Sequence, residues 1–113
     1  MTKKQVEKLK NFFEEKDFNV YLTKQNNTQC AEIETWTDGG VNMVISLSPF
    51  TAEEFEKRVN DFDVDEEIEV HRQGKDYRNA FTIRESLTDF EDFHKRLQSV
   101  SDELKAYNLQ PTT

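Results

Sequence analysis

The sequence predicts a single α+β domain in which helices pack on one face of an antiparallel sheet. Its 113 residues suit one domain. Three consecutive segments alternate apolar and polar residues, and segments with helical spacing precede and follow them. Nine Phe, three Tyr and one Trp supply apolar surface for a core, since each buried aromatic removes about 150–250 Å² from water. We expect the order α-β-β-β-α-β-β-α, a domain over residues 1–107 and a frayed polar tail at 108–113.

The first helix is expected from about Lys3 to Lys16. Thr2, with Gln5 three residues later, has the spacing of a capping box, in which each side chain satisfies the other residue's backbone N–H. The apolar residues behind this pattern recur at helical spacing and predict one buried stripe: Val6, Leu9, Phe12 and Phe13.

Three one-sided strands are expected next. Residues 18–23, 29–37 and 41–47 each alternate apolar and polar side chains, which is typical of strands with one buried face. Residues 25–28 form a polar turn, and the Asp-Gly-Gly sequence at 38–40 tolerates the positive φ angles of a tight hairpin. These segments predict a β-meander with helices on its apolar face.

Beyond this meander, Pro49 ends the third strand, and a second capping-box pattern begins at Thr51. A helix is therefore expected from about Ala52 to Asp61. Tyr77–Ile83 is predicted to be extended.

The last helix is predicted from a third capping-box pattern, residues 88–91, and a long apolar stripe that recurs at spacings of three and four. Two interpretations of this stripe are open. It packs on the chain's own sheet or first helix, or it binds a partner or a second copy. The residues of the possible association face are Phe93, Leu97, Val100 and Leu104.

An acidic segment, Asp61–Val70, is the most unusual part of the chain. Odd positions carry carboxylates and even positions are apolar, with Glu66 as the exception, so a strand with one carboxylate face is preferred. A helix remains the alternative, since Val64, Ile68 and His71 would share a stripe with Gly74 after the helix end. The candidate partner-binding residues are Asp61, Asp63, Asp65, Glu66, Glu67 and Glu69.

Carboxylates in a row along a strand would be about 6.6 Å apart, comparable to the spacing of phosphates along a DNA strand. The segment is therefore a candidate DNA mimic that occupies a groove of Lys and Arg. Two alternatives are open: a solvated edge that resists aggregation, and a loose magnesium or calcium site. An EF-hand is excluded, because Glu66 replaces the required Gly and Arg72 the required Glu.

Charge and composition restrict the classes of function. The net charge is −8, and residues 53–113 account for −7 of it. This charge disfavours direct binding to nucleic acid or an anionic membrane and favours a basic protein partner. No catalytic constellation, cofactor motif or zinc spacing is evident around His71, His94 or Cys30. We therefore expect a non-enzymatic binding protein without a metal or cofactor. Because signal-peptide and membrane-spanning patterns are missing from the sequence, we also expect this protein to be cytoplasmic.

The segment Lys16–Leu22 resembles the Lys-Asp-aromatic-x-Val-x-Leu strand of small anti-CRISPR proteins from phages of Gram-positive bacteria. The order of elements over residues 4–60 is also similar, as is the general style of small acidic proteins of mobile elements. The chain departs from this pattern after Val70. The resemblance implies an inhibitor, in a bacterial cytoplasm, whose carboxylates occupy the site where a type II CRISPR nuclease reads the short DNA motif beside its target. An immunity protein or antitoxin against a basic toxin is a variant of the same hypothesis.

Overall fold

The computed structural model describes residues 2–73 and 83–108. It confirms the α+β class, with a three-stranded antiparallel sheet and the order α-β-β-β-α-α-α over these residues. The elements are α1 (Lys3–Glu15), β1 (Asn19–Gln25), β2 (Thr28–Trp36), β3 (Asn42–Leu47), α2 (Ala52–Asn60), α3 (Val64–Gln73) and α4 (Ile83–Asn108).

The meander is confirmed, with β2 in the centre of the sheet between β1 and β3. Asn26 and Asn27 form the first hairpin turn with φ angles of 50° and 66°, a left-handed conformation that Asn tolerates better than most residues. Gly40 has φ of 88° in the second turn, where a side chain would be strained. The register places Ala31 opposite both Leu22 and Leu47, so the inner face is continuous across the three strands.

Helices cover that inner face. Helix α1 begins with the expected capping box, since the Thr2 hydroxyl accepts from the Gln5 N–H and the Gln5 amide oxygen accepts from the Thr2 N–H. Helix α1 packs against β1 and α2 against β3, while α4 contacts α2 and α3. Phe13 lies at the centre of the core, and its ring contacts those of Phe12, Phe18, Phe50 and Phe55.

The prediction of a strand over the acidic segment is wrong, because residues 64–73 form helix α3. Val64 and Ile68 lie one helical turn apart, and Ile68 is only 8% exposed within the core shared with α4. A period of two and a helical stripe both place these two residues on the same side, so packing against α4 decides between them. Of the other extended segment, Tyr77–Ile83, residues 77–82 lie outside the described part of the chain, and Ile83 begins α4.

The last helix is also longer at its start than the sequence predicts. Helix α4 begins at Ile83, so Thr88 lies inside the helix and the third capping box is wrong. The apolar stripe is confirmed as a buried face in the main core: Phe90, Phe93, Leu97, Val100 and Leu104 are each at most 5% exposed. The chain itself thus covers the residues of the possible association face.

Candidate protein-binding surface

The net charge of the molecule is concentrated at the junction of α2 and α3. Residues 53–70, here called the acidic corner, contain nine Asp or Glu and two Lys or Arg, a net −7 out of −8 for the whole chain. The segments before and after this corner are close to neutral. Electrostatic attraction of a basic partner would therefore be directed at this one region.

The backbone of the acidic corner is held in place by local capping. Asp61 ends α2, and its N–H donates to the Lys57 carbonyl at 2.9 Å. Two residues later, the Asp63 carboxylate accepts the Glu66 N–H at 3.2 Å, and the Asp63 carbonyl accepts the Glu67 N–H at 3.0 Å. Asp63 is thus the N-cap of α3, a position where Asp is strongly preferred.

An aromatic contact anchors the same junction to α4. The Phe62 ring stacks on the His94 ring with centroids 5.0 Å apart and lies 5.8 Å from the Phe93 ring. His94 Nε2 is 2.9 Å from the Val59 carbonyl oxygen, so this imidazole also ties α4 to α2. These contacts give His94 a structural role and fix the position of the carboxylates on either side of Phe62.

The carboxylates of α3 are grouped on a helix face and are not spaced along a strand. Asp65, Glu66 and Glu69 are exposed, together with Val70. Side chains three or four positions apart on a helix have Cβ atoms about 5–6 Å apart, so Asp65 lies close to Glu69. Repulsion within this group is offset in part, because acidic residues in the first turn interact favourably with the positive end of the helix dipole.

Some carboxylates of the corner already have partners inside the molecule. Glu54 pairs with Arg58 at 3.6 Å, and Glu56 pairs with Lys105 at 2.8 Å. The hydrogen bond and charge of Glu56 raise the pKa of Lys105.

Of the six candidate residues, Glu67 and Glu69 also make interactions within the chain. The other four have no ion pair with any side chain that the structure describes: Asp61, Asp63, Asp65 and Glu66. These four are exposed and available to a partner.

In the part of the chain that the structure describes, the fold does not bring together side chains with catalytic or metal-binding character. Cys30 is buried, with Sγ 3.2 Å from the Ser48 hydroxyl. Across the described residues, no set of three His, Cys, Asp or Glu side chains could hold a metal ion. The side chain of His71 lies outside the described residues.

A second surface was missed by the sequence analysis. The side of the sheet that faces away from the core, here called the open sheet face, exposes Tyr21, Trp36 and Val44 around Glu34. The signal available in the sequence was that Tyr21 and Trp36 occupy outward positions in two alternating strands. What surrounds Glu34, however, depends on how three strands pair.

Comparisons of the chain with protein-family models, with curated proteins and with solved structures find no match. Among the residues that the structure describes, none of the helices combines the length and apolar character that crossing a membrane requires.

Proposed function

We propose that this protein is a binding protein that inhibits a basic nucleic-acid-binding protein by placing its acidic corner on the partner's nucleic-acid site. The observation that carries the proposal is the set of four exposed carboxylates, Asp61, Asp63, Asp65 and Glu66, which lack cationic partners within the described residues. They are displayed by a capped and anchored helix junction. Their ordering therefore costs little when a partner binds.

Electrostatics support a basic site as the target. Lys and Arg that normally contact phosphates would form charge-assisted hydrogen bonds with these carboxylates. Charge complementarity would also steer the encounter and make its rate depend strongly on salt. The surface therefore competes with nucleic acid for the same cations without reproducing the exact spacing of phosphates.

The partner that we propose is the type II CRISPR nuclease, at its site for the short DNA motif beside the target. Support for this choice comes from the resemblance of Lys16–Leu22 to a strand of anti-CRISPR proteins and from the acidic corner itself. The alternative of an adaptor that associates through α4 has less support. Its face would have to open the core, because Phe93, Leu97, Val100 and Leu104 are buried.

The test measures binding of a labelled DNA duplex to the guide-loaded nuclease in the presence of this protein. The substitutions of the variant are chosen from the structure. Asp61→Asn, Asp65→Asn and Glu66→Gln remove three charges, while Asp63 is kept because it caps α3. The matched control removes three exposed carboxylates elsewhere, by Glu14→Gln, Glu15→Gln and Glu91→Gln.

We expect the wild-type protein and the control to displace the duplex, and the corner variant to need a concentration at least about tenfold higher. Raising salt from about 0.05 M to about 0.3 M should weaken inhibition by the wild type. Lack of inhibition by the wild type would overturn the choice of nuclease. Equal loss in the corner variant and the control would show that total charge acts, and not this surface.

A further inference from the structure

Glu34 lies on the central strand β2 of the open sheet face and is held by side chains from the two flanking strands, β1 and β3. Its Oε1 atom accepts hydrogen bonds from Asn19 Nδ2 at 3.3 Å and from the Tyr21 hydroxyl at 3.1 Å. Its Oε2 atom accepts one from Asn42 Nδ2 at 3.1 Å. An exposed Glu side chain normally samples many rotamers, so three hydrogen bonds make this carboxylate unusually well positioned.

The network also keeps Glu34 charged and leaves it room for another donor. Hydrogen bonds from Asn19 and Asn42 hold the pKa of Glu34 below its ordinary value. A carboxylate has about four lone-pair sites, and the neighbouring side chains use three of them. The remaining acceptor site belongs to Oε2, which takes a single hydrogen bond inside the molecule.

Exposed apolar surface surrounds this fixed anion. Trp36 is 45% exposed, Val44 51% and Tyr21 53%. Val44 is directly opposite Glu34 on β3, and Trp36 is directly opposite Asn42, whose amide binds Glu34. Trp36 is two residues from Glu34 on β2, so both side chains are on the same face of the strand, about 6.6 Å apart along it. Tyr and Trp of this kind are enriched at the centres of protein interfaces.

The charge of the open sheet face selects its partner. Residues that alternate outward along the three strands include Glu32 and Glu34 and contain no Lys or Arg. Lys24 is on the opposite side, where it lines a groove with Leu22 beside α1. A cation is thus the complement of this face. Arginine fits better than lysine, because its planar guanidinium can stack on an indole while it donates to a carboxylate.

We propose that the open sheet face binds an arginine side chain of a protein partner, with the guanidinium stacked on Trp36 and donating to Glu34 Oε2. This inference does not rest on the proposed function, since the acidic corner is a separate surface with its own carboxylates. The outward edges of Tyr21 and Val44 would contact the apolar residues that flank the arginine.

Trp36 is the single tryptophan of the chain, so its fluorescence reports directly on this face. The probe is an acetylated and amidated pentapeptide with arginine between two valines, and its control replaces arginine by the uncharged isostere citrulline. We expect a saturable change in emission with the arginine peptide and at least about tenfold weaker binding of the citrulline peptide, because a charge-assisted hydrogen bond is lost.

Two variants locate the binding. Glu34→Gln should weaken binding of the arginine peptide by at least about tenfold, whereas Glu66→Gln in the acidic corner should bind like the wild type. Trp36→Ala should abolish the amide chemical-shift changes of Tyr21 and Val44 in NMR spectra recorded with the peptide. Thermal unfolding of each variant shows whether the sheet is intact, and Trp36→Ala supplies an independent test if Glu34→Gln is unstable.

Several results would overturn the proposal. These are no saturable response at millimolar peptide, equal binding of the citrulline peptide, or an effect of Glu66→Gln as large as that of Glu34→Gln. Concentration-dependent dimerisation that is lost in Trp36→Ala would also overturn it, because the face would then be covered by a second copy.

Discussion

Asp89 of α4 accepts the hydroxyl hydrogen of Thr37 at an oxygen–oxygen distance of 2.5 Å, which ties the last helix to the β2–β3 turn. The second carboxylate oxygen of Asp89 accepts the Gly39 N–H at 2.9 Å. Thr37 Oγ1 in turn accepts the Val41 N–H at 3.0 Å, so the hydroxyl hydrogen is left for Asp89. One helical carboxylate therefore completes the hydrogen bonding of a turn about 50 residues away in sequence.

Removal of this carboxylate should destabilise the fold. Asp89→Ala is expected to lower the free energy of unfolding by about 2 kcal/mol, because two hydrogen bonds to a charged group are lost at a partly buried site. Asp89→Asn should cost less, since its amide oxygen can still accept one of them. Urea unfolding measures both. Asp92→Ala, at an exposed position of the same helix, should stay within about 0.5 kcal/mol of the wild type; an equal loss there would contradict the assignment.

The end of α1 gives a second test, because Asp17 has φ of 67°. The Asp17 N–H donates to the Glu14 carbonyl and the Phe18 N–H to the Phe13 carbonyl, the two hydrogen bonds of a Schellman motif. Glycine is the usual residue at this left-handed position. We expect Asp17→Ala to be less stable than Asp17→Gly by about 1 kcal/mol in thermal unfolding, since the Cβ atom is strained there. Equal stability of the two variants would show that the left-handed conformation does not persist in solution.

The meander could be predicted from the sequence because its signals are local. Alternation with a period of two defines each strand, and Asn26, Asn27 and Gly40 supply residues that tolerate the positive φ angles of the two turns. Helix α3 could not be predicted in the same way. Its Val64 and Ile68 satisfy both a strand and a helix pattern, and only packing against α4 distinguishes the two.

The two candidate sites also differ in how much of each could be predicted from local sequence signals. The acidic corner is visible in the sequence as a run of charge, although its geometry is not. The Glu34 network has no local signal, because Asn19, Tyr21 and Asn42 are 8–15 positions away and meet only through strand register. Similarly, the apolar stripe of α4 does not reveal whether its cover is a partner or the chain's own core.

Substitutions of Asp63 distinguish its structural role, as the N-cap of α3, from the effect of its charge. Asp63→Ala should lower the free energy of unfolding by about 1 kcal/mol, because the N-cap of α3 is lost. Asp63→Asn removes the charge but keeps a side-chain acceptor, so its stability should match that of the wild type within about 0.5 kcal/mol. Urea unfolding of both variants measures the difference. Equal destabilisation by Asn and Ala would mean that charge, and not the cap, stabilises the start of α3.

Glu34 in the open sheet face makes the stability of the fold depend on pH. Because the pKa of folded Glu34 is below its ordinary value of 4.5, its ionisation stabilises the fold above that pH, and this contribution is lost as pH falls through the folded pKa. Asn42→Ala removes one donor and should raise the pKa of Glu34 toward 4.5. The destabilisation of Asn42→Ala that arises from this pKa shift should therefore be present at neutral pH. It should be absent at a pH below the Glu34 pKa of both the folded wild type and the folded variant.

Carboxyl ¹³C chemical shifts of Glu34, followed by NMR from neutral to acidic pH, measure this pKa directly. Asn11→Ala, at an exposed position on α1, is the matched control and should leave the Glu34 titration unchanged. An unaltered Glu34 pKa in Asn42→Ala would mean that the Asn42 amide does not hold the carboxylate in solution. Glu34 would then be held only at Oε1, by Asn19 and Tyr21, and the fixed position of Oε2 on which the proposed arginine recognition depends would be lost.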